Sequence, residues 1–163
     1  MKTLIFLRHA KSSWKDSSLP DEERPLNKRG KREAPQVGET LRQQNLLPDL
    51  ILCSTALRAR KTVEAVIEKS GYSGQVQYRD DLYQNGAKAY FAALQSLPEE
   101  TRSVLLVAHN PDMEEALQVL TGVYQPMPTA CLAWMELPID SWKNLKAEKC
   151  ARLVGTWRPP QEG

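Results

Sequence analysis

Only two histidines, His9 and His109, occur in 163 residues, and the other scarcities are equally informative. Three cysteines, Cys53, Cys131 and Cys150, form no close pair, and an odd, scattered set offers no disulfide framework. Reduced thiols inside a cell are the expectation. The N-terminal apolar run holds one lysine and stops at Arg8, too short for a secretory signal and far too short to cross a bilayer. A cytoplasmic protein with no membrane partner is therefore expected. Charge of one sign is also missing: 22 Lys and Arg face 20 Asp and Glu, for a net +2, so no whole-protein field draws in nucleic acid or lipid. No basic run interleaves with the tryptophans at 14, 134, 142 and 157, as a nucleic-acid stacking platform would need. Core or rim packing is expected for them, with Trp14 placed by its loop near the mouth of any site at the first strand end. Internal repeats and low-complexity segments are absent.

What is present suits one domain. Hydrophobic residues make up 41%, enough for a single core over residues 1–158, with a frayed tail at 159–163. Three segments, Thr3 to Leu7, Leu50 to Cys53 and Ser103 to Ala108, are apolar without alternation, the pattern of parallel strands covered on both faces. Weaker strand signals lie at 75–79, 130–137 and 151–157. Between them run helical patterns. Ala34, Val37, Leu41 and Leu46 share one face, interrupted by Pro35, which should kink or split that helix. A second helix runs from Leu57 to a stop near Gly71, a third lies within Ala87 to Leu97, and a fourth starts at Asn110-Pro111 with Asn110 as cap and stops at Gly122. Alternation of strand and helix predicts an α/β three-layer sandwich with a largely parallel central sheet flanked by helices.

In such a sheet ligands bind outside the carboxyl ends of the strands. Arg8-His9, Ser54 to Arg58, and His109-Asn110-Pro111 each follow one of the three apolar runs. If those strands are adjacent and parallel, both histidines and two arginines enter one crevice. Arginine forks match phosphate oxygens, and a helix N-terminus after His109 attracts anions. A neutral histidine can attack phosphorus, while a second stabilises the charge spreading over the equatorial oxygens. Each residue taken alone also fits simple packing or a capped helix start; the pairing of the only two histidines with strand ends favours chemistry. A metal is the poorer reading, since two histidines need a third ligand and no tight His, Asp and Glu cluster is present. No cofactor is expected.

These motifs resemble the histidine phosphatase superfamily. Arg8-His9-Ala10 is similar to its Arg-His-Gly signature, Ser54-Thr55-Ala56-Leu57-Arg58-Ala59-Arg60-Lys61-Thr62 to its Ser-Pro-Leu-x-Arg-Ala-x-Gln-Thr segment, and Val107-Ala108-His109-Asn110-Pro111 to its Gly-His-Asn-Pro. Arg24-Pro25-Leu26-Asn27-Lys28-Arg29-Gly30 resembles a segment of the short, SixA-like branch. The resemblance covers nearly the whole chain in family order. It implies a phosphoglycerate mutase-like fold, a phosphatase, His9 as the nucleophile, and Arg8, Arg58 and His109 completing the phosphate pocket. Arg24 and Ser12 are the candidate substrate-binding residues. Ala10 replaces the family glycine, which requires ordinary backbone angles there. Thr55 and Lys61 also depart from the pattern, outside its charged core.

Larger members of that superfamily protonate the leaving oxygen with a carboxylic acid. Where a glutamate would fall, this chain has Asp80-Asp81-Leu82-Tyr83-Gln84. Asp81 is the candidate acid, with Asp16 and Asp112 as further options, although a solvated turn is the simpler reading of Asp80 and Asp81. Without a dedicated acid, a phosphoramidate such as phosphohistidine is the better substrate, because imidazole leaves far more easily than an alkoxide. A metal-independent protein phosphohistidine phosphatase is thus expected, ahead of a phosphomonoesterase for small esters or phosphopeptides, a mutase, or a non-catalytic phosphate-binding module. The expected partner is a phosphorylated protein. The basic cluster Lys28, Arg29, Lys31 and Arg32 could steer an acidic phosphoprotein, or form a solvated helix face.

Overall fold

Six strands and four α-helices alternate along the computed structural model, which describes residues 1–161. The strands are β1 (Lys2–Arg8), β2 (Leu50–Ser54), β3 (Gln75–Arg79), β4 (Ser103–Ala108), β5 (Leu132–Leu137) and β6 (Arg152–Trp157). The helices are α1 (Lys28–Gln43), α2 (Leu57–Ser70), α3 (Ala87–Gln95) and α4 (Asp112–Thr121). All six strands form one sheet in the order β3-β2-β4-β1-β5-β6. β1, β2, β3 and β4 pair in parallel, and β5 and β6 add antiparallel on the far side of β1. The three apolar runs are therefore neighbours, and their carboxyl ends lie at the same edge.

Successive residues of β1 serve opposite faces, as the pleat requires. Leu4 and Phe6 pack with Leu52, Leu106, Tyr90, Leu94 and Leu117, beneath α3 and α4. Ile5 and Leu7 pack with Ile51, Val107, Val37, Leu41 and Val63, beneath α1 and α2. This double coverage is the three-layer sandwich that the unalternating runs predict.

Pro35 does not split α1, which runs unbroken through it. Ala34, Val37 and Leu41 are wholly buried on the face that meets the sheet. Burying two such aliphatic side chains is worth roughly 3–6 kcal/mol, against about 3 kcal/mol for an interior proline. Leu46 lies beyond the helix. Its N–H bonds the Leu41 carbonyl (2.8 Å) and the Asn45 N–H bonds that of Arg42 (3.3 Å), with Asn45 in the left-handed region (φ 56°), a Schellman closure that folds Leu46 back onto the core. The cap expected from Asn110 is not formed: Pro111 holds the cap position, and the Asn110 amide donates instead to Glu114 Oε2 and the Met127 carbonyl (2.9 Å each). The two acceptors fix the orientation of the amide nitrogen, and Oδ1, the atom a cap would use, is left without a hydrogen-bond partner. α2 and α4 stop at Gly71 and Gly122, as read. Of the expected frayed tail, Pro159 is in fact buried, and residues 162–163 lie outside the described residues. No described helix is long and apolar enough to cross a membrane.

Candidate active site

Arg8 and His9 emerge where β1 ends, Arg58 from the first turn of α2, and His109 from the end of β4. Together with Lys11, Ser12, Trp14, Arg24, Asn110 and Thr129 they line one cavity. The structure thus brings together Arg8, His9, Ser12, Arg24, Arg58 and His109. The two imidazoles stand 5.1 Å apart between centroids, tilted by 52°.

Position follows from strand register and backbone bonds. The His9 N–H donates to the Ala108 carbonyl, and the Ala130 N–H reaches the Arg8 and His9 carbonyls, so the β1 end is held from both sides. The Ala10 N–H donates to Thr62 Oγ1 (3.0 Å), whose hydroxyl donates to the Arg58 carbonyl (2.7 Å). That threonine ties the histidine loop to the arginine helix. Ala10 itself is fully buried and lies outside the left-handed region, as its replacement of a glycine requires. Thr55 bonds Asp80 and Lys61 bonds Glu64, both away from the cavity.

The tautomer of His9 follows from its partner. Nδ1 lies 2.7 Å from the Ala10 carbonyl, which can only accept, so Nδ1 carries the proton. Burial, reinforced by the positive charge of Arg58 and Arg8, lowers the His9 pKa to about 3. The ring is neutral at ordinary pH, with the lone pair on Nε2. His109 is likewise lowered to about 3, by burial and then by Arg58. Its Nε2 lies 2.7 Å from Ser54 Oγ, and that oxygen already accepts the Ala56 N–H.

Asp21, which the sequence reading passed over, organises the arginines. Its Oδ1 accepts Arg24 Nε (3.0 Å) and its Oδ2 accepts Arg58 Nη2 (3.0 Å) and the Tyr83 hydroxyl (2.6 Å). Its carbonyl accepts Arg58 Nη1 as well. Burial opposes its ionisation but is outweighed by the hydrogen bonds of Tyr83 and Arg24 and the charge of Arg58, which bring its pKa to about 2. Arg24 also donates to Ser12 Oγ (2.7 Å), so Ser12 fixes an arginine rather than standing alone.

Asp81 does not fit the part of acid expected for it. Arg79 grips it bidentately (3.0 and 2.8 Å), the hydrogen bonds lower its pKa, and it is absent from the cavity lining. Asp16 is engaged by Ser18, and Asp112 accepts the Gly86 N–H; neither lines the cavity. A carboxyl held below its usual range is a weak proton donor near neutral pH.

Among the described residues, the buried side-chain nitrogens and oxygens without a hydrogen-bond partner are Arg8 Nε, Arg58 Nε, His109 Nδ1 and Asn110 Oδ1, all from residues of this cavity. Buried polar groups are rarely left unpaired, and a cluster of them marks a place built for a ligand. Three of the four are nitrogens, two of them on arginine, which suits an oxyanion. Among the described residues no group of three or more His, Cys, Asp or Glu is arranged to hold a metal ion.

Comparison with known proteins agrees with this chemistry. Residues 4–86 match the family model of the histidine phosphatase superfamily (branch 1). An uncharacterized chloroplastic protein of Arabidopsis thaliana is 32% identical over 88% of this chain and 70% of its own. A crystal structure of a candidate phosphohistidine phosphatase SixA from Agrobacterium tumefaciens superposes with a TM-score of 0.83 at 29% identity, covering 97% of this chain and 98% of that one. A second candidate SixA, from Nakamurella multipartitia, gives 0.82 at 30% identity over 97% and 96%. With strand order, paired histidines and clustered arginines all in agreement, the chain belongs to the histidine phosphatase superfamily and is a SixA-like phosphatase.

Proposed function

We propose that the enzyme removes phosphate from phosphohistidine in a partner protein, through a phosphorylated His9 and without a metal. The observation that carries this reading is the His9 tautomer: Nδ1 is committed to the Ala10 carbonyl, which leaves Nε2 as the attacking atom among Arg8, Arg24 and Arg58. Nε2 attacks phosphorus, the substrate's nitrogen–phosphorus bond breaks, and its electron pair returns to the departing imidazole. With the other ring nitrogen protonated, that imidazole leaves neutral and needs no acid from the enzyme. Water then cleaves phospho-His9 to inorganic phosphate and restores the site. Arg8, Arg58 and His109 stabilise the equatorial oxygens, and Ser54 sets the tautomer of His109. Its oxygen accepts from Ala56 and retains one O–H donor; with that proton turned to Nε2, the unpartnered Nδ1 carries its N–H toward phosphate.

Two features favour phosphohistidine over an alkyl ester. Among the described residues no carboxyl lines the cavity, and the nearby Asp21 and Asp81 are both held below the usual carboxylate range. The cavity, about 180 Å³, is smaller than the roughly 300–1,000 Å³ of sites that enclose a whole small molecule, so it suits a phosphoryl group presented from a larger surface. The candidate SixA structures add likeness in fold and sequence.

The test sets a chemically phosphorylated histidine protein beside an aryl and an alkyl phosphate, with and without chelator. Expected are fastest turnover of phosphohistidine, indifference to chelator, acid-labile and alkali-stable phosphate trapped on His9, and a loss of roughly a thousandfold or more in His9→Ala, about 4 kcal/mol of barrier. Faster cleavage of an alkyl ester would move the assignment to a phosphomonoesterase. Undiminished turnover by His9→Ala would overturn the mechanism.

A further inference from the structure

Among the described residues Trp14 is the one large aromatic side chain of the cavity lining, and it is 71% exposed. Its environment is asymmetric. The guanidinium carbon of Arg24 sits 3.5 Å from the ring centroid, so one face of the indole is covered at stacking distance. Arg24 is itself buried and fixed by Asp21 Oδ1 and Ser12 Oγ. The chain just before Trp14 is also fastened. Ser12 bridges to Leu26, the Ser13 N–H donates to the Pro25 carbonyl, and the Asn27 N–H donates to that of Lys11. An indole backed by a fixed cation and carried by an anchored loop presents its other face to water.

The position of that face has a chemical meaning. In-line displacement puts the leaving group opposite the nucleophile. His9 is nearly buried, at 6% exposure, so a phosphoryl group over it holds its leaving group toward the mouth, where Trp14 stands. The other mouth residues, Lys11, Asn110 and Thr129, offer only polar or aliphatic contacts. We propose that the open face of Trp14 is a leaving-group subsite selective for a planar π system, the imidazole of a phosphohistidine side chain, which stacks on the indole while its phosphoryl group occupies the arginines. The inference rests on the phosphohistidine reading but makes a claim of its own, that planarity of the leaving group is read by one residue. Offset aromatic contacts are worth about 0.5–1.5 kcal/mol beyond area, or roughly two- to twelvefold.

Trp14→Leu and Trp14→Phe are compared with the parent enzyme. Two non-hydrolysable probes, phenylphosphonate and methylphosphonate, report binding, with inorganic phosphate as control. Trp14→Leu is expected to lower the phenyl-to-methyl affinity ratio three- to tenfold and to leave inorganic phosphate within twofold; Trp14→Phe restores most of the ratio. In turnover, kcat/KM falls by a similar factor on phosphohistidine protein and aryl phosphate, and less than twofold on an alkyl phosphate. An unchanged probe ratio overturns the proposal. So does an equal loss for all three anions, which would show Trp14 only steadying Arg24. If the ratio falls but the parent prefers aryl phosphate to phosphohistidine, the subsite stands for aryl esters and the phosphohistidine occupant is overturned.

Discussion

Thr62 shows how much of the site hangs on single hydrogen bonds. It accepts from the backbone of the histidine loop and donates to the backbone of the arginine helix, both buried. Thr62→Val keeps the shape and removes the acceptor, leaving the Ala10 N–H unpaired. A loss of about 1–3 kcal/mol in denaturant unfolding is expected, with a larger proportional fall in kcat/KM than in thermal midpoint, because His9 loses its fixed carbonyl partner. Activity unchanged at that loss of stability would contradict the coupling. At this scale the sequence was readable where residues sit at strand ends. Arg8, His9, Arg58 and His109 follow apolar runs, and the topology rule sends them to one edge. Asp21 was unreadable because, beside the neighbouring Arg24, two of its partners lie 37 and 62 positions away, at Arg58 and Tyr83, and it sits in a short 3-10 turn with no periodic signal. The engagement of Asp81, a candidate acid beside the simpler reading of a solvated turn, was hidden for the matching reason. Its position near the expected acid says nothing of Arg79, two residues back, which occupies it.

Elements position the loops that carry Ser12 and Trp14. α1 is capped by Asn27, whose side chain accepts the Gly30 N–H (2.8 Å), and it begins against the backbone of the histidine loop. A Cβ at Gly30 would collide with the Lys11 carbonyl oxygen. Glycine is needed there for close approach, since backbone cannot yield as a flexible side chain does. Gly30→Ala is expected to destabilise by about 1–3 kcal/mol, as overpacking does, and to weaken inorganic phosphate binding through displacement of Ser12 and Arg24. Calorimetry with and without phosphate separates the two effects. The basic residues of the same helix are exposed on its first turns, with Arg29 paired to Glu33. Helix boundaries were readable from apolar period and glycine stops. Pro35 departed because burial of a helix face outweighed a local preference, and Asn110 because two acceptors fix the orientation of its amide.

For the whole molecule, acid acts with one sign. Unfolded histidines bind a proton near pH 6.5, whereas native His9 and His109 do so only near 3, so the unfolded state holds more protons between those values and stability rises with pH across that window. Asp21 is depressed from 3.8 to about 2, and its contribution, present above the ordinary carboxylate range, is lost as pH falls through about 2. The unfolding free energy in urea should therefore drop steadily from pH 7 to 4, by at most about 1.4 kcal/mol per unit per histidine, with the midpoint falling alongside, and His109→Gln should flatten that slope. A midpoint independent of pH over that range would mean that the imidazoles are not held neutral. The layer architecture was legible because both faces of the sheet leave their mark in unalternating runs. The antiparallel pair was not, because β6 is an edge strand covered only in alternation and the signal of the buried β5 is diluted by Ala133 and Glu136.

Strand order also has a consequence for synthesis on the ribosome. β1 carries the nucleophile, yet its two neighbours in the sheet are β4 and β5, which leave the exit tunnel long after it. At roughly 5–20 residues per second the wait lasts several seconds. β2 and β3 can pair with each other meanwhile; the Leu4-Ile5-Phe6-Leu7 segment has no such partner. The nascent chain thus holds this apolar stretch without its sheet partners until β4 and β5 arrive, and unpaired strand edges of that kind are what chaperones on a growing polypeptide cover.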